Sequence, residues 1–159
     1  MEEILKVNPD NADALNYIGY TYTVRGMRLQ DAEKLLKRAL VLKPDNAYVK
    51  DSWGWYLFVR GRVQEAVIEL EKAVRMKPTE STILEHLADA YLKQNLREKA
   101  ANQYSEALRF ADTDSGKQKI QEKLNQVSKE LAKRTGTSGI ASSTRSPAAA
   151  VSPDSSSDE

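Results

Sequence analysis

Apolar residues along this chain recur at helical spacing and in paired blocks. Leu15, Ile18, Gly19 and Tyr22 form one stripe; after a short break, Ala32, Leu35, Leu36, Ala39 and Leu40 form a second. Steps of three and four residues place side chains on one face of an α-helix. Each block predicts about 14 residues of helix, roughly 21 Å at 1.5 Å per residue. Prolines at 9, 44 and 78, spaced 35 and 34 residues apart, separate the pairs. The proline ring disfavours helical geometry in the residue before it, so each proline marks a helix end. The polar residues that follow (Asp10-Asn11, Asp45-Asn46, Thr79-Glu80-Ser81) are able to cap the next helix.

Other positions keep the same register. Gly19, Gly54 and Ala88 lie ten residues after each proline, and Gly26, Gly61 and Asn95 are residue types that tolerate a positive φ at a helix end. Alanine recurs at 32, 66 and 100, and again at 39, 73 and 107. These alanine series step by 34 and 34, whereas Gly26 to Gly61 steps by 35, so one extra residue lies between Gly26 and Ala32. A turn absorbs such an insertion at little cost. A single amphipathic helix pair cannot bury its own apolar face, so adjacent units must stack.

This pattern resembles the tetratricopeptide repeat (TPR) family, whose 34-residue units are helix-turn-helix pairs. Unit one matches as Leu15, Ile18-Gly19, Tyr22, Ala32, Leu36, Ala39 and Pro44. Unit two matches as Trp53-Gly54, Leu57, Ala66, Leu70, Ala73 and Pro78, with Lys50 a departure at the first bulky position. Unit three matches as Leu84, Leu87-Ala88, Tyr91, Ala100, Tyr104 and Ala107, with Asp112 where proline is expected. The resemblance implies an all-α, right-handed α-solenoid of three units (12–46, 47–80 and 81–113, within 10–113). Residues 1–9 read as the end of a truncated preceding helix, so a fragment of a longer array is expected. The segments Asn16-Tyr17-Ile18-Gly19-Tyr20 and Asp51-Ser52-Trp53-Gly54-Trp55 are also similar to repeats in TPR proteins of the bacterial envelope.

The remaining C-terminal residues divide in two. Ile120, Leu124, Val127 and Leu131 make one apolar stripe on an otherwise polar helix, 114–134, read as a cap over unit three with its lysines on a solvated face. The Ser- and Ala-rich stretch 135–159 lacks the apolar content to offset ordering and is expected to be disordered.

Composition narrows the chemistry. The 159 residues carry a formal net charge of +1, which gives no global attraction to nucleic acid. No apolar run approaches the ~20 residues of a membrane-spanning helix, and Met1-Glu2-Glu3-Ile4-Leu5-Lys6 lacks a secretory signature, which leaves the compartment open. There is no Cys and one His, so thiolate and multi-His metal sites are excluded; neither cofactor nor metal is expected. Ser52, His86 and Asp51 suggest a triad, but Ser52 and His86 are equivalent positions on adjacent helices whose axes lie ~8–10 Å apart and project in parallel. No catalytic residue is assigned, and the expectation is no enzymatic activity. A basic rim of Arg25, Arg28, Arg60, Arg62, Lys93 and Arg97 lies at helix ends, with acidic residues at helix starts, as the helix dipole favours.

The functional expectation is a binding groove. First helices of stacked pairs line the concave face. The core stripe of the second unit's first helix is Val49, Trp53, Gly54 and Leu57; a second stripe, Tyr48, Asp51, Trp55 and Phe58, needs another explanation. The corresponding positions include Asp13, Asn16 and Tyr20 in unit one and Glu85 and Asp89 in unit three, giving an aromatic centre with acidic surroundings. Trp55 is the expected anchor, for a basic or apolar peptide or helix of a partner protein. The alternative for Phe58, Trp55 and Tyr48 is packing between neighbouring helices. The family clamp for acidic peptide tails is not implied, because Asn16, Asp51 and Glu85 stand where it requires Lys. Self-association through the edge formed by Ile4 and Leu5 is the alternative function.

Overall fold

A computed structural model describes residues 2–138. Among these, eight helices run in order: α1 (Glu2–Val7), α2 (Ala12–Val24), α3 (Leu29–Leu42), α4 (Ala47–Val59), α5 (Val63–Met76), α6 (Ser81–Lys93), α7 (Arg97–Phe110) and α8 (Asp114–Ser138). The fold is all-α. The expected disorder of 139–159 lies outside the described residues, and 135–138 form the last turn of α8.

Local sequence sets the helix ends. Asn11 accepts a hydrogen bond from the Ala14 amide at 2.9 Å, and Asn46 accepts from the amides of Tyr48 and Val49. The third unit departs from this pattern: Ser81 is already helical and its hydroxyl donates to the Ala107 carbonyl at 2.8 Å. The inserted residue lies in the α2–α3 turn, which spans four residues where the next two turns span three. Gly26 has φ +61°, and Arg28 also enters the left-handed region at φ +49°.

The pairs α2–α3, α4–α5 and α6–α7 pack along their lengths, and α7 packs against α8 as each second helix packs against the next first helix. Close approach is enforced at the crossings. A Cβ on Gly19 would stand 2.7 Å from Leu36 Cγ, and one on Gly54 would stand 2.7 Å from Leu70 Cγ. In unit three Tyr104 replaces that leucine, and Ala88 is accommodated. Among the described residues α2 touches α4 and α4 touches α6, while α3 and α5 show no comparable contact. The stack therefore bends around its first helices, which line the inner groove.

One core residue, Tyr56, was not in the expected stripes. Tyr56 is fully buried and donates its hydroxyl to Glu33 of α3 at 3.1 Å. Tyr91, one residue out of register with Tyr56, makes a comparable bond in the next unit, donating to Glu71 at 2.6 Å. These tyrosines tie each first helix to the second helix of the preceding unit.

Candidate functional site

The nine expected groove residues separate into two regions. Asp13, Asn16, Tyr20, Tyr48 and Asp51 line one cleft of about 450 Å³ between α2 and α4, together with Tyr17, Ser52, Glu80, Thr82 and Ile83. Trp55, Phe58, Glu85 and Asp89 lie further along the groove, outside that cleft.

Within the cleft, Tyr17 and Tyr48 are 56% and 43% exposed. Tyr48 donates its hydroxyl to Glu80 at 2.9 Å, and the Lys77 ammonium lies 4.5 Å from the centre of its ring. Lys43 contacts both Asp13 carboxylate oxygens at 2.7 Å. Burial, and after it the charges of Asp51 and Glu85, push the Tyr20 hydroxyl above its ordinary pKa. Asn16 Oδ1 is buried and has no hydrogen-bond partner. Tyr17 escaped the sequence reading because its repeat equivalents, Ser52 and His86, carry no groove signal. Its place three residues before Tyr20 and four after Asp13 puts it on the same helix face.

Asp51 and His86 are the largest departure from expectation. Both are buried, and His86 Nδ1 lies 2.8 Å from Asp51 Oδ1. Equivalent positions on adjacent first helices project in parallel, but Asp51 and His86 are one residue out of equivalence. That residue turns the side chain by about 100° and points the two toward each other. His86 is bonded to Asp51 and not to Ser52, so a pair forms without a nucleophile. The pair supports the aromatic centre: Trp55 stacks on His86 at 4.2 Å between ring centres and on Phe58 at 4.7 Å. Trp55 is thus half-buried within a column of rings, and Phe58 packs partly against the core.

At the far end, α8 reaches into the groove. Lys123 Nζ lies 2.7 Å from Glu85 and 2.7 Å from Asp89, and Lys119 lies 2.9 Å from Glu85. Tyr104 also donates to Asp89. Burial alone would raise the Glu85 carboxyl, but hydrogen bonds from Lys123 and Lys119 bring it below the usual range. Burial would likewise lower the Lys123 ammonium, yet Asp89 and Glu85 hold it above its ordinary value. The solvated face expected for the α8 lysines is therefore corrected at Lys123. The acidity expected around the groove is present as residues but is matched by internal partners: Lys43 at Asp13, His86 at Asp51, and α8 at Glu85 and Asp89.

The basic rim is likewise engaged in part. Arg28 pairs with Asp31, Arg62 with Glu65, and Arg97 with Glu130 of α8. Among the described residues no helix is long and apolar enough to cross a membrane, and no cluster of three His, Cys, Asp or Glu side chains is placed to hold a metal.

Paired helices stacked in register, with close glycine or alanine crossings and an inner groove, define a helical-repeat solenoid. The tetratricopeptide repeat profile matches residues 1–47 and 52–115, and the chain belongs to that family. A TPR repeat-containing protein of Pseudomonas aeruginosa is 34% identical over 86 residues, 54% of this chain. The chain spans only 14% of that relative's length. Among solved structures, the TPR domain of Sgt2 from Aspergillus fumigatus matches with a TM-score of 0.69 at 17% identity, covering 91% of this chain and 90% of that one. The type III secretion translocator chaperone SycD of Yersinia enterocolitica matches with a TM-score of 0.68 at 16% identity, covering 79% and 88%. A T3SS complex from Aeromonas hydrophila gives a TM-score of 0.69 at 18% identity, covering 82% and 89%. These structural likenesses speak to the fold.

Proposed function

We propose that this TPR protein is a non-catalytic interaction module, a scaffold or adaptor, that docks a basic or apolar peptide or helix of a partner protein in its inner groove. In this reading 12–46, 47–80 and 81–113 are the three repeat units, 114–134 is their cap, and 1–9 closes a preceding unit. The observation that carries the proposal is the open cleft between α2 and α4, walled by exposed Tyr17 and Tyr48. Large aromatic faces on a rigid helical scaffold supply contact area at low entropic cost. The ring column at Trp55, half-buried, serves as the adjoining wall. Peptides selected from a random display library against the full chain provide the test. Binding should shift the backbone amides of Asn16, Tyr17, Tyr20, Tyr48 and Asp51, and Tyr48→Ala should weaken it by about tenfold or more. Shifts confined to the outer faces of α3, α5 and α7 would overturn the groove.

A second reading rests on the N-terminal edge. Val7 is 88% exposed beside exposed Ile4, and Leu5, Ile18, Tyr22 and Leu35 line a recess of about 440 Å³ at the N-terminal end of the described stack. Self-association through this edge is excluded if sedimentation shows a monomer at all concentrations.

A further inference from the structure

We infer that the cleft between α2 and α4 is a subsite for an arginine side chain of the docked peptide. This rests on the groove reading above and adds the chemistry of the occupant. The ten residues lining the cleft include three carboxylates, Asp13, Asp51 and Glu80, and no Lys or Arg. Asp51 uses one carboxylate oxygen for His86 and, among the described residues, makes no other side-chain hydrogen bond. Burial raises the Tyr20 hydroxyl, and the charges of Asp51 and Glu85 at the cleft wall add to the rise. The chain's own cations already select these walls: Lys77 lies over the Tyr48 ring, and Lys43 holds Asp13.

Shape and hydrogen bonding favour guanidinium over other cations. The ring of Tyr17, 56% exposed, offers a flat face on which a planar, weakly hydrated guanidinium stacks, beside a Tyr48 ring that already carries Lys77. Asn16 Oδ1, buried without a donor, gains one when an N–H group enters and the amide turns about its last torsion. A guanidinium has five donors in a fixed fork, enough to reach both Asn16 and Asp51. An aliphatic side chain answers neither.

The repeat supplies an internal parallel. Positions 16, 51, 85 and 119 are equivalent, as are 20, 55, 89 and 123. At the third step, Glu85 and Asp89 face Lys119 and Lys123 from the following helix. At the first step, the following helix places Asp51 and Trp55 at those positions, so no cation of the chain comes from there. A cation at the first step would have to come from outside that helix, and it would meet Asn16 and Asp51 in place of Glu85 and Asp89.

The test is a two-dimensional NMR titration of the full chain with N-acetyl-arginine methylamide, its citrulline counterpart and its lysine counterpart. Citrulline preserves the shape and removes the charge. The arginine compound should shift the amides of Asn16, Tyr17, Tyr20, Tyr48 and Asp51 and bind about five- to tenfold more tightly than citrulline. Lysine should fall between them. Tyr17→Ala, at an exposed position, should weaken the arginine effect with an unchanged melting temperature, and Asn16→Leu should remove the preference for arginine over citrulline. Equal binding of arginine and citrulline, or shifts outside the cleft, would overturn the subsite. The library-selected peptides separate the two failures. If they shift the cleft amides without arginine enrichment, the subsite falls and the groove stands; if their shifts map elsewhere, both fall.

Discussion

The two ends of the groove carry carboxylates in different settings, and one pair of them, Asp51 and Glu85, is repeat-equivalent. Between α6 and α8, Glu85 and Asp89 are half-buried and meet Lys119 and Lys123 of the same chain. Between α2 and α4, Asp13, Asp51 and Glu80 border an open cleft with exposed tyrosine faces. The repeat operation that relates the two ends is the same. What differs is the basic group the next helix brings: α6 sets His86 against Asp51, whereas α8 sets two lysines against Glu85 and Asp89. An acidic groove position is therefore a structural element at one end and a candidate ligand contact at the other, and residue type alone does not distinguish them.

Removing Lys123 tests the filled end and should have the largest effect. Lys123→Ala leaves Glu85 and Asp89 half-buried with only Lys119 and Tyr104 as partners, and should cost about 3 kcal/mol in urea unfolding. The same end should respond to pH in both directions. The Glu85 carboxyl lies below its ordinary value, so its contribution is complete above the unfolded value, about 4.3, and is lost as pH falls through the folded one. Lys123 is raised, so its contribution is complete below about pH 10.4 and is lost as pH rises through its folded value. Urea midpoints should fall at both extremes, and the Lys123→Ala protein should show much shallower limbs.

A smaller loss is expected at the junction of the two regions. His86→Ala strands a buried Asp51 carboxylate and removes one ring from the Trp55 column, for about 2 kcal/mol. Tryptophan fluorescence should shift to the red, and an unchanged spectrum would mean that the stack does not define the Trp55 environment. Tyr17→Ala should have the smallest effect, within about 0.5 kcal/mol of the parent, while weakening peptides bound at the open end. Loss of stability there would show that Tyr17 is a packing residue.

Much of the fold was legible because it is repeated. Pro9, Pro44 and Pro78, the alanine series and the 35-residue step fixed helix pairs, turns and the site of the insertion, which the four-residue α2–α3 turn bears out. The groove was less legible for two physical reasons. Repeat equivalence compares positions that project in parallel, so it passes over contacts one residue out of step, of which Asp51–His86 is the example. It also treats each unit separately, and so did not show that Lys119 and Lys123 continue the columns of Asp51 and Trp55 into α8. Tyr56 was missed because its ring is buried between units by a hydroxyl bond to Glu33, a polar partner that a stripe of apolar spacing does not register.

The opposite ends of the stack also differ in what they present to a second copy. The outer face of α8 offers Gln118, Gln121, Asn125 and Lys129, all exposed, whereas the other end offers the recess around Leu5, Ile18, Tyr22 and Leu35. Among the described residues, head-to-tail contact would set an oily surface against a hydrated one. Copies meeting through the N-terminal edge would instead pair like with like about a two-fold axis.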